Sequence, residues 1–102
     1  MPEKIYTFST DDVTAVERIV NNEDLRINHL SLAGGESVDP HATAEAAHFI
    51  VTQGVLSLRL NEGIEEQYPT GSIIAVKAGS MLAISNRHPM TMHLFVIKTD
   101  IS

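Results

Sequence analysis

The chain is a succession of short apolar alternations separated by turn residues. LRINHLSL, VLSLRL, GSIIAVKAG, MLAIS and MTMHLFVIK each repeat aliphatic or methionine side chains at every second position over much of their length. That is the period of a strand with one face on a core. VLSLRL is the plainest case, with Leu56, Leu58 and Leu60 on one face and Val55, Ser57 and Arg59 on the other. Between these segments stand Asn21, Asn22, Glu23 and Asp24, then Gly34 and Gly35, Gly54, Asn61 with Gly63, Pro69 with Gly71, Gly79, and His88 with Pro89. Strands recurring at roughly 8–12 residues with turn signals between them predict an all-β sandwich or barrel.

Three segments need a further argument. Val13, Val16 and Val20 have helical spacing behind Ser9 or Thr10, yet Val16, Arg18 and Val20 also alternate, and the β-branched content favours a strand. In LRINHLSL, Leu25 and Ile27 share one parity and Leu30 and Leu32 the other. Either a bulge near Asn28 and His29 or a strand covered on both faces accounts for that switch. In MTMHLFVIK, Met90, Met92, Leu94 and Val96 share one face and His93, Phe95 and Ile97 the other. Such a strand is buried twice, which places His93 in a barrel or in an interface and, with Ile5 and Phe8, predicts a homodimer.

Size and charge narrow the classes. At 102 residues and 11.1 kDa the chain is read as one domain, residues 1–102, with 1–24 as extra N-terminal strands. Thirteen acidic against seven basic side chains leave a net charge of −6, scattered along the chain, so nucleic acid is not expected as a partner. There is no cysteine for disulfide or thiolate chemistry. The polar start MPEKIYTFSTDD has no apolar signal core, and no apolar run approaches the ~20 residues of a membrane span. A cytoplasmic protein without membrane partners is expected.

The most informative stretch is GESVDPHATAEAAHFIVTQG, from Gly35 to Gly54. Gly35 is followed after five residues by His41, then by Thr43 and a strand closing on Gly54. Later, Gly71 is followed by Lys77, Gly79, Leu82 and Asn86. These spacings resemble the two motifs of the cupin superfamily, and the similarity covers roughly residues 25–99. The resemblance implies a double-stranded β-helix, or jelly-roll barrel, commonly dimeric, and a divalent metal (zinc, iron, nickel or manganese) held by His, His, Glu and His.

Carried over residue by residue, the resemblance leaves one ligand of four. His41 matches the first position, while Thr43, Ala47 and Leu82 stand where the other ligands belong. A lone imidazole does not hold a divalent ion against water. His48, directly after Ala47, points outward in the regular register and inward only after a slip of one residue. A rearranged metal set would draw on His41, His48 and His93, with Glu45 as a further oxygen donor if the connection curls back, although Glu45 reads as a solvated carboxylate. His29 reads as a strand surface residue and His88 as an exposed turn residue. Met81, Met90, Met92 and His93 could form a soft copper site, but methionine at such positions reads as core filler.

Three functions follow. The first is a cupin barrel binding a small organic ligand, with His41, Thr43 and Asn86 as its polar groups and apolar walls around them. The second is a metal-dependent enzyme of oxygenase, isomerase or lyase type on the rearranged set. The third is a dimerisation or regulatory module without a pocket. No general base is marked, since an imidazole such as His41 serves equally as ligand, base or donor.

Overall fold

The computed structural model describes residues 2–99. Nine strands follow in chain order: β1 (Ala15–Asn21), β2 (Leu25–Leu32), β3 (Ser37–Ala42), β4 (Ala47–Gln53), β5 (Val55–Leu60), β6 (Glu66–Pro69), β7 (Ile73–Val76), β8 (Met81–Ser85) and β9 (Met92–Thr99). They form a five-stranded sheet, order β1-β2-β9-β4-β7, and a four-stranded sheet, order β3-β8-β5-β6. Every pairing is antiparallel. No helix of the described residues is long and apolar enough to cross a membrane.

Alternation sets which side chains meet. Leu30 and Leu32 of β2, Ala47, Phe49 and Val51 of β4, Val76 of β7 and Met92 and Leu94 of β9 leave the inner face of the larger sheet. Leu56, Leu58, Leu82 and Ile84 leave the facing sheet, and the two sets form one core. Burying each such side chain stabilises the fold by about 1.5–3 kcal/mol relative to exposure.

One corner between the sheets is made by a single residue. Only Gly54 lies between β4 of one sheet and β5 of the other, and its φ of 75° is left-handed. A Cβ there would sit 3.0 Å from the Thr91 carbonyl oxygen and 3.1 Å from Met92 Cα. Glycine is therefore needed at this corner for both conformation and space.

The segment 13–20 is a strand from Ala15 onward, but residues 2–14 form none, so the N-terminal part adds one strand to the barrel. The parity switch in β2 comes from two covered faces. Its register with β9 runs unbroken from Leu25 opposite Thr99 to Leu32 opposite Met92, and the irregularity lies in β1 between Arg18 and Val20. Residues 8–14 lie along the outer face of the larger sheet: Phe8 packs edge-on against Phe95 at 4.7 Å, and the Ser31 hydroxyl donates to the Val13 carbonyl at 2.6 Å.

Candidate functional site

Between the sheets, at the end where β1, β2 and β9 pass over β3 and β8, lies a cavity of about 120 Å³. Its walls are Leu30, Val38, Phe49, Leu82, Ile84 and Val96, with Val16 at the rim. Three polar side chains enter it, Asn28, His41 and Lys98. Asn28 and Lys98 occupy their strands at the parity of Leu30 and Val96, two residues away on each strand. The structure puts Leu30 and Val96 inside, and the period of two carries that face on to Asn28 and Lys98. Glu45 closes this end: its two oxygens lie 3.1 Å from the Arg26 guanidinium and 3.8 Å from the Lys98 ammonium. It is thus a bridging carboxylate rather than a freely solvated one. A broader depression of about 920 Å³ over Thr10, Asp12, Gln53, Pro89, Met90 and Thr91 is open to solvent and lacks an enclosing apolar wall.

Of the polar residues that the motifs singled out, only His41 reaches the cavity. It is exposed at the edge, with Nδ1 3.3 Å from the Asp39 carbonyl, and stands opposite Leu82 in the β3–β8 pairing. Thr43 is buried, but its hydroxyl donates to the Glu45 carbonyl at 2.7 Å, and its backbone pairs with Gly79 and Ser80. It therefore holds the β3–β4 connection to the turn before β8. Asn86 is likewise buried and ties β2 to the turn before β9, donating to the carbonyls of Leu32 and Met90. Thr43 and Asn86 do not line the cavity.

His48 keeps the regular register. It stands opposite Ala75 and Ile97 on the outer face of the larger sheet and is exposed. His93 is on that face too, but buried beside His29, with which it stacks at 5.1 Å. The structure thus separates His41, inside, from His48 and His93, outside.

The outer face carries a polar string that alternation did not reveal. His29, expected at the surface, is 0% exposed. Its Nδ1 lies 2.8 Å from Glu17 Oε1, and its Nε2 lies 2.9 Å from His93 Nδ1. With both rings neutral the carboxylate fixes the order: His29 Nδ1–H donates to Glu17, and His93 Nδ1–H donates to His29. Phe8 and Phe95 pack on the His29 ring at 5.1 and 5.0 Å.

Burial holds His93 below the ordinary imidazole value of 6.5, helped by the charge of His29 and opposed by Asp12 and Glu17. The Ser9 N–H and then His29 hold Glu17 below the ordinary 4.5. A group whose folded pKa is lowered stabilises the fold above its unfolded value, and that contribution is lost as pH falls. Unfolded His93 takes a proton near 6.5 while the buried ring resists it. The thermal midpoint, followed by circular dichroism, is expected to fall from pH 8 to pH 5 as that contribution is lost. His93→Gln should flatten that slope. A second decline, from Glu17, is expected below about pH 4.5.

An uncharacterised protein of Methanocaldococcus jannaschii is 33% identical to this chain over 99 residues, covering 96% of this chain and 85% of the relative. Its crystal structure, that of an RmlC-like cupin family protein with a double-stranded β-helix fold, matches at a TM-score of 0.92 over 97% of this chain and 92% of that one, with 32% identity. The chain belongs to the RmlC-like cupin family. A cupin superfamily protein of Desulfitobacterium hafniense shares the fold at a TM-score of 0.76 and 15% identity, over 91% of this cupin and 83% of that chain. No family model matches the chain.

The metal that cupin motifs imply does not fit the residues present in this cupin. Among the described residues no group of three or more His, Asp or Glu side chains is placed to share an ion. Leu82 faces His41 where a second donor would be needed, and the remaining candidates lie across the sheet.

Proposed function

We propose that this cupin binds a small organic ligand in the mouth of its barrel, without a resident metal. The observation that carries this reading is the cavity of about 120 Å³, whose apolar walls offer affinity while Asn28, His41 and Lys98 supply orientation. The test joins elemental analysis with methyl-detected titration of small organic compounds. Purified protein is expected to carry far less than one zinc, iron, nickel or manganese ion per chain. Bound compounds should shift the methyl signals of Leu82, Ile84 and Val96, and Leu82→Trp, which narrows the cavity, should abolish the shifts at Ile84 and Val96 while the fold persists. One metal per chain, lost on His41→Ala, would overturn the reading.

We propose a homodimer through the outer face of the larger sheet as the assembly in which it works. Ile27, Ile50, Phe95 and Ile97 are half-buried there, while Ile5 and Ile73 are exposed at 74% and 67%. Exposed apolar area of this kind is removed from water by a second copy. Sedimentation at micromolar concentration is expected to give about 22 kDa, twice the 11.1 kDa chain. A single 11.1 kDa species would refute the dimer.

A further inference from the structure

The outer face of the larger sheet holds a polar arrangement that the barrel does not use. Glu17 Oε1 accepts two hydrogen bonds at once, from the Ser9 N–H at 2.9 Å and from His29 Nδ1–H at 2.8 Å. The first pins the segment that carries Phe8 and Thr10 onto the sheet. The second fixes the order of the rings, so that His93 Nδ1–H donates to His29 Nε2 at 2.9 Å and His93 Nε2 keeps a lone pair without a proton. That nitrogen accepts and does not donate.

His93 stands between Ser31 of β2 and Gln53 of β4, and its Nδ1 is engaged by His29 on the β2 side. The two nitrogens of the ring diverge, so Nε2 turns toward β4. There a recess of about 180 Å³ is walled by Phe8, Thr10, Thr52, Gln53 and His93 itself. Gln53 is held in place by its own bond to the Thr91 carbonyl at 3.0 Å, which makes that wall preformed. His93 is 5% exposed, and among the described residues its Nε2 has no hydrogen-bond partner. A buried acceptor without a partner is costly until a donor reaches it. The recess and the Ile27 and Ile97 of the proposed dimer surface lie toward opposite ends of the face.

The surroundings select among donors. The charges that act on His93 are those of His29, Asp12 and Glu17, and neither the recess nor the open depression beside it, which shares Thr10 and Gln53, is lined by a lysine or arginine. Carboxylates and phosphates are repelled and bring no proton. An ammonium would find its counter-charge only at Asp12, which is exposed in the open depression and screened there by water and salt. A neutral hydroxyl fits, and an aryl hydroxyl is a strong donor whose ring has the Phe8 ring to pack against. A cavity of roughly 150 Å³ accommodates benzene, so about 180 Å³ takes one ring with its substituent.

We propose that this recess is a second ligand site, separate from the barrel cavity, and that it takes a small phenol whose O–H donates to His93 Nε2 while its ring packs on Phe8. The Glu17–His29 pair behind His93 polarises the acceptor and strengthens that bond. The site does not depend on the barrel being a ligand site.

The test titrates phenol, benzonitrile and benzylamine into the full chain, with location read from the imidazole signals of His93 and the methyl signals of Leu82 and Ile84. Benzonitrile is close to phenol in size but carries no donor. Phenol should bind about fivefold more tightly than benzonitrile and shift the His93 Nε2 signal, and long-range proton–nitrogen spectra of the free protein should show Nε2 unprotonated. His93→Phe, which keeps a ring and removes the acceptor, should bring phenol down to the affinity of benzonitrile. Phe8→Ala, at a side chain 46% exposed, should weaken both compounds. The comparison in the parent protein decides the matter even where the His93 variant fails to fold. Equal affinity for phenol and benzonitrile, tighter binding of benzylamine, or a proton on Nε2 in the free protein overturns the proposal. Phenol that leaves His93 unmoved, whether it shifts Leu82 and Ile84 or nothing at all, overturns it too.

Discussion

Phe49→Ala is expected to lower the unfolding free energy by about 3–5 kcal/mol. Phe49 is 1% exposed on β4, which hydrogen-bonds to β9 on one side and β7 on the other, so the void opens under an interior strand of the larger sheet. Its ring also forms a wall of the 120 Å³ cavity, and the two spaces would join. Neighbours that already border a void on one side have little to collapse onto, which favours the upper part of that range. Against a total stability of about 5–15 kcal/mol for a domain of this kind, the variant would be marginal. Urea unfolding followed by circular dichroism measures it. A loss below about 1.5 kcal/mol would mean that the ring is not packed as described. Phe49→Leu, nearer in volume, should cost much less.

Asn86→Ala is expected to cost about 2–4 kcal/mol through polar groups left without partners. Asn86 is 1% exposed, and its amide nitrogen donates to the Leu32 carbonyl at 2.9 Å and the Met90 carbonyl at 2.8 Å. Its side-chain oxygen accepts from the His88 N–H at 3.1 Å. Its backbone adds a pair of bonds with the start of β3, to the Glu36 carbonyl and from the Gly35 N–H. One side chain thus satisfies three backbone groups where β2 ends and the turn toward β9 begins. Asn86→Asp is the sharper variant, since it sets a carboxylate oxygen against two carbonyls, and should destabilise at least as much. Thermal melts of both variants, with ligand-induced shifts of the cavity methyl signals measured alongside, separate this bracing role from a ligand contact. Weakened binding with an unchanged melting point would reinstate Asn86 as a site residue.

Much of the architecture was legible in the linear order. The β2, β5 and β8 segments begin and end where LRINHLSL, VLSLRL and MLAIS do, because alternation and turn residues are local signals. His48 faces outward for the same reason: a period of two leaves no other face without a bulge, and β4 has none between Ala47 and Val51. The reading of Thr43 and Asn86 as ligand contacts came from motif spacing. Spacing places a residue near a site but does not say which buried carbonyl will claim its donors.

What the sequence determined by itself is most of the strands and the corner at Gly54. Those follow from geometry within a few residues. Only the tertiary structure decided that His29 meets His93, 64 residues away, under the Phe8 ring, and that Glu45 bridges Arg26 and Lys98 at one end of the barrel. Alternation assigns a side chain to a face, whereas its neighbours on that face depend on strand order. In this barrel that order sets β2, from the first third of the chain, against β9 at its end. The chemistry of both clusters exists only once those two strands have paired.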